Sequence, residues 1–142
     1  MTMAESVREP GTEAKIRLEE FIQARTTFSI NRIIEIHQRW YESLRSHVLA
    51  NAPLPMDLAA TRSTHHCVLG HWIDEEAEII FQGYQTFDHL KQSHEAYHRV
   101  AAEVVALKQA KQHEDALILL EGAFLEISRQ VIHHLRDLRA LV

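Results

Sequence analysis

Hydrophobic positions along this chain recur at steps of three and four through three long stretches. Ile30, Ile33, Ile34, His37, Tyr41, Leu44 and Val48 form the first stripe. Phe87, Leu90, His94, Tyr97, His98, Ala101, Val104 and Val105 form the second, and Leu117, Leu120, Phe124, Ile127, Val131, His134 and Leu138 the third. That spacing puts the apolar side chains on one face of a helix and leaves the opposite face polar. A shorter helix is predicted from near Cys67 to about Phe81, with Gly83 as its stop. Residues 51–66, which hold Pro53, Pro55 and Thr61-Arg62-Ser63-Thr64, break the pattern and read as a loop. Lys111-Gln112-His113 makes a second, polar break. Upstream, residues 12–50 are helix-compatible, with Thr26-Thr27 as the candidate interruption.

Three long helices and one short one, joined by brief connections, predict an all-α antiparallel four-helix bundle. The last helix, at about 1.5 Å per residue over roughly 28 residues, would reach about 40 Å. Residues 30–50 alone are shorter than that. Residues 12–28 are therefore expected to form an N-terminal helical extension that covers the overhang or pairs with a second subunit, which favours a homodimer. Met1–Gly11, closed by Pro10-Gly11, reads as a disordered lead-in, leaving 12–142 as a single domain.

Composition narrows the function classes. With 46% hydrophobic residues, the 142-residue chain can fill a core without disulfides, and four glycines and three prolines suit helices better than a many-stranded fold. A formal charge of −5 without a Lys/Arg-rich block argues against nucleic acid as a partner. No run of about 18 apolar residues marks a membrane span. Glu5, Arg8 and Glu9 interrupt the first eleven residues, unlike a signal peptide. A single cysteine fits a reducing cytoplasm. The chain shows no Gly-rich phosphate loop, serine-nucleophile motif or acid/base pair, so no catalytic residue is assigned and no enzyme activity is expected.

The polar residues on the apolar stripes carry the chemistry. His94 and His98 stand one turn apart on one helical face, close enough to grip one ion. Eleven histidines make such a pair common by chance, and surface or core histidines are its ordinary explanation. His37 sits where its stripe wants an apolar residue, so its imidazole needs a hydrogen-bond partner or a metal. Cys67, the lone cysteine, opens the short helix, where the helix dipole and free N–H groups favour a thiolate. One thiolate and three imidazoles would complete a closed zinc site. Gly70 would allow close backbone approach, and Trp72 could roof the site. His65 and His66 adjoin Cys67 and compete as ligands; His134 reads as a core residue, and His47, His71, His89 and His113 as surface residues.

Cys67-Val68-Leu69-Gly70-His71-Trp72 resembles the C-x-[LF]-G-x-W signature of the chemoreceptor zinc-binding (CZB) domain family. His37-Gln38-Arg39-Trp40 is similar to that family's H-x-x-W element, and His94-Glu95-Ala96-Tyr97-His98 to its H-x-x-[FY]-H element. The similarity runs from about Phe28 to Leu138. It implies a zinc set of His37, Cys67, His94 and His98, with one Zn²⁺ per subunit and Trp40, Gly70, Trp72 and Tyr97 as supporting residues. It also implies a four-helix bundle, frequent homodimers and bacterial cytosolic signalling with chemoreceptors or diguanylate cyclases. Zinc loss, or oxidation of Cys67 by oxidants such as hypochlorous acid, would alter the output. No output domain is expected within residues 1–27, so either a partner in trans is expected or the input module works alone.

Four protein ligands suit a regulatory switch, in which the metal holds the short helix against the first and third helices. A metal-free helical interaction module and a hemerythrin-like iron-binding bundle are the alternatives. Glu95 lies off the His94/His98 face, and the thiolate favours zinc over a di-iron centre.

Overall fold

The computed structural model describes residues 10–50, 52–53, 61 and 67–142. Residues 1–9 of the expected disordered lead-in, and most of the expected loop with His65 and His66, lie outside them. The described residues form four helices and no strand, an all-α helical bundle.

Helix α1 spans Pro10–Leu49 without a break. It starts on a proline, whose missing N–H costs nothing in a first helical turn. The candidate interruption at Thr26-Thr27 does not occur. The Thr26 hydroxyl donates to the carbonyl of Ile22 at 2.7 Å and so satisfies itself within the helix. Helix α2 runs Val68–Phe81, with a π-helical turn at Ile73–Ala77, and ends in a turn where Gly83 has φ +90°. Helix α3 spans Gln85–Gln109. Helix α4 runs from His113 to Arg139 through a second π-helical turn at Leu120–Phe124.

The break between α3 and α4 is a Schellman turn. The Gln112 N–H donates to the Leu107 carbonyl at 2.9 Å, and the Lys111 N–H to that of Lys108 at 3.1 Å. Lys111 therefore occupies the left-handed position, φ 62°, that glycine usually fills.

Helices α1 and α4 run antiparallel. Arg139 donates to Asn31 Oδ1 at one end, and Arg45 pairs with Glu121 toward the other. The core draws on all four helices: Ile30, Leu44 and Val48 from α1, Phe81 from α2, Phe87, Leu90 and Val104 from α3, and Leu120, Phe124, Val131, Leu135 and Leu138 from α4. Phe124 stacks on Tyr41 and Tyr97, with ring centroids 5.6 and 4.7 Å away. At the π turn beneath it, where the regular i→i−4 ladder loosens, the Leu120 carbonyl accepts from the Tyr41 hydroxyl at 3.2 Å.

The first part of α1 stands clear of this core. Residues 12–25 are all exposed, and Thr26 is the first buried position. Leu18, Phe21, Ile22 and Phe28 lie exposed on one stripe of this arm. At 100° per residue, that stripe points about 120° away from the face that carries Ile30, Ile33 and His37. Arg25, within the stripe, forms an ion pair with Glu76 of α2. No helix among the described residues is long and apolar enough to cross a membrane.

Candidate metal centre

Cys67 caps the N-terminus of α2. Its backbone is extended (φ −104°, ψ 160°), and its sulfur accepts the Gly70 N–H at 3.1 Å, as the oxygen of a capping serine would. Gly70 itself is buried. The cap aims Sγ at the middle of α3, where it lies 3.2 Å from Nε2 of His94.

His94 and His98 face the same way from successive turns, with ring centroids 4.6 Å apart, and both are buried. The ligand atoms of Cys67, His94 and His98 all fall within 4.8 Å of one another. A sulfur and a nitrogen bound at usual lengths to one tetrahedral zinc ion would stand about 3.5 Å apart, so little movement is needed to admit one.

His98 is also held from behind. Its Nδ1–H donates to the Thr61 carbonyl at 2.8 Å, which fixes the tautomer and leaves Nε2 for a cation. The sequence offered no signal for this contact, because a backbone carbonyl has no side-chain signature and residues 51–66 read as a loop, whereas Thr61 is helical. Burial lowers the His98 pKa, and the Thr61 hydrogen bond opposes that shift in part.

The structure does not bring His37 into the three-residue cluster. His37 lies beside it, its ring 4.2 Å from that of Tyr97. It is 7% exposed, and its Nε2 is shielded from solvent with no hydrogen-bond partner among the described residues. Burial first, and His98 second, push its pKa down to about 4. A neutral, desolvated imidazole with a bare nitrogen has the chemistry of a waiting ligand.

The Cys67 thiol departs from expectation. Burial raises its pKa above the ordinary thiol value, and the N–H groups of Gly70 and Leu69 draw it back only in part. The helix terminus alone therefore does not make a thiolate here; a bound cation would have to displace the proton.

The supporting residues divide. Tyr97, buried between His37 and Phe124, also meets Trp40 at 5.6 Å and His98 at 5.6 Å, so it walls the cluster off from the core. Its hydroxyl has no partner among the described residues, and burial above all raises its pKa well above the usual phenol value. Trp72 is buried, with its ring centroid 6.2 Å from that of Phe81.

Other histidines are also placed. His134 is half-buried rather than a core residue, because it lies at the edge of α4 against His89 of α3. His113, expected on the surface, is half-buried with its Nδ1 enclosed. His47 donates from Nδ1 to the Ser43 carbonyl, and His71 is exposed.

A cysteine sulfur and two imidazoles, gathered from two elements of a helical bundle, make a donor set of the kind that metal-binding proteins use. That set, with a further buried imidazole alongside, fits zinc. Residues 37–105 match the family model of the chemoreceptor zinc-binding domain, which supports a domain of that family over this part of the chain. The match opens on His37 and takes in Cys67, His94 and His98; it is shorter than the similarity read from the motifs. No curated protein and no solved structure matches the chain. Family and cluster together support a zinc-binding signalling domain, of a regulatory, non-catalytic family.

Proposed function

We propose that His37, Cys67, His94 and His98 hold one Zn²⁺ per chain, and that its presence sets the position of α2 within the bundle. The observation that carries this is the gathering of Cys67, His94 and His98 from two helices, with the bare Nε2 of buried His37 beside them. Zinc would supply a crosslink between α1, α2 and α3. Structural zinc binds small peptides with roughly 10–16 kcal/mol at neutral pH. A domain's net stability is about 5–15 kcal/mol, so even part of that coupling can decide where a fourteen-residue helix sits.

The chain's residues do the rest. Cys67 gives up its proton, Thr61 holds His98 in the productive tautomer, and Tyr97 with Trp40 keeps water out. Two electrons taken from the Cys67 sulfur by hypochlorous acid would yield a sulfenic acid and chloride, removing the thiolate and loosening the cap of α2. The module thus senses zinc or oxidant in a bacterial cytoplasm. It passes the change to a partner such as a chemoreceptor or a diguanylate cyclase, without catalysis of its own.

The exposed stripe of α1 supports a homodimer, since Leu18, Phe21 and Phe28 cover no part of their own bundle. Leu18→Glu with Phe21→Glu should convert a dimer to a monomer in sedimentation; if the wild type sediments as a monomer, the dimer is wrong.

The zinc reading is tested by metal analysis and competitive titration of protein purified without a nickel column. One tight zinc per chain is expected, weakened at least a hundredfold in Cys67→Ser and in His98→Ala. Wild type without tight zinc, or tight zinc that survives both substitutions, would leave only a helical interaction module.

A further inference from the structure

A second group of imidazoles lies outside the candidate centre. His89 of α3 and His134 of α4 face each other with ring centroids 5.8 Å apart. His133 lies 5.7 Å from His134, and its Nε2 is 3.3 Å from the carboxylate of Asp137, one turn on. Three imidazoles and a carboxylate from two helices thus share one patch near the start of α3. Nothing in the core or the zinc cluster uses them.

We propose that His89 and His134, flanked by His133 and Asp137, form a second divalent-metal site, open to water and weaker than the first, for a borderline transition ion such as Zn²⁺. Imidazole with carboxylate is a donor set that such ions accept, whereas Ca²⁺ and Mg²⁺ prefer oxygen alone. Geometry allows it. Two imidazoles bound at about 2.0–2.1 Å to one ion place their ring centres about 4.5–6.4 Å apart, depending on the bond angle. The His89–His134 spacing falls inside that window.

Among the described residues, only Cys67, His94 and His98 bring three ligand atoms within 4.8 Å of one another. The second site therefore closes by rotation of rings that have room to turn: His89 and His133 are exposed and His134 is half-buried. The Asp137 carboxylate, 3.3 Å from Nε2 of His133, offers an oxygen ligand to the same patch. Because the rings must be ordered and water fills the remaining positions, affinity will fall below that of a closed site with a thiolate.

The arrangement has a structural consequence. The first set of ligands draws on α1, α2 and α3, and none comes from α4. A metal between His89 and His134 would tie α4 to α3, so that all four helices become linked only when both sites fill. Response to metal would then come in two stages.

The test uses the full chain, stripped with chelator and titrated with Zn²⁺ by calorimetry and with Co²⁺ by absorption. Two equivalents are expected. The tighter Co²⁺ equivalent gives thiolate-to-cobalt charge transfer in the near ultraviolet, and the weaker one does not. His89→Gln and the pair His89→Gln/His134→Gln should weaken the second equivalent at least tenfold while the charge-transfer band stays; circular dichroism checks the fold. A single equivalent in the wild type overturns the proposal. So does a second equivalent that persists in the double variant, or one abolished by His65→Gln/His66→Gln instead. Loss of the charge-transfer band in wild type would sink the thiolate site and leave this one standing.

Discussion

Protonation of His37 should make acid destabilise this bundle well above the pH at which carboxylates titrate. His37 is 7% exposed, and burial lowers its pKa from 6.5 to about 4. In the unfolded chain the imidazole regains its ordinary pKa, so between those two values the unfolded state binds more protons. Stability is therefore full above about pH 6.5 and is lost as pH falls toward about 4. A shift of this size corresponds to about 3 kcal/mol in the limit, of which about 2 kcal/mol is lost between pH 7 and pH 5. That is a large share of a typical domain's stability.

The assay is urea unfolding of chelator-stripped protein at intervals from pH 7 to pH 5, compared with His37→Phe. Phenylalanine keeps a ring against Tyr97 and cannot take a proton. Both proteins retain His98 and His134, whose lowered pKa values add a common slope. The wild type should lose about 2 kcal/mol more than the variant across that interval. Parallel pH profiles would show that His37 is not held neutral by burial, and would remove the argument for a desolvated nitrogen beside the zinc cluster.

Two further outcomes follow from the packing. Lys111→Gly should stabilise the bundle by about 0.5–1 kcal/mol and raise Tm by about 2–4 °C, because the left-handed backbone at φ 62° strains any residue with a Cβ; thermal denaturation reads it. Tyr41→Phe should cost about 0.5–1.5 kcal/mol in urea unfolding, since it removes the hydrogen bond to the Leu120 carbonyl while keeping the ring stacked on Phe124.

Much of this molecule was written in its periodicity. The stripes of α1, α3 and α4 predicted the core face, because a helix with one apolar side must bury that side. The meeting of Cys67 with His94 and His98 was legible as a candidate, from two imidazoles one turn apart and a lone cysteine at a helix start. Two other expectations were overruled by local physics. Thr26 bonds to its own helix and does not break it, and burial of the Cys67 sulfur outweighs the pull of the helix terminus.

What the one-dimensional pattern determined, then, was which faces are apolar and which polar residues sit on them; propensity, periodicity and residue chemistry are local properties. Only the tertiary structure decided that the Thr61 carbonyl sets the tautomer of His98, that His37 stands beside the cluster against Tyr97, and that His89 meets His134. Each depends on how far helices distant in sequence rotate and slide against one another. That is fixed by the jointly packed side chains of the whole core, and no single segment contains it.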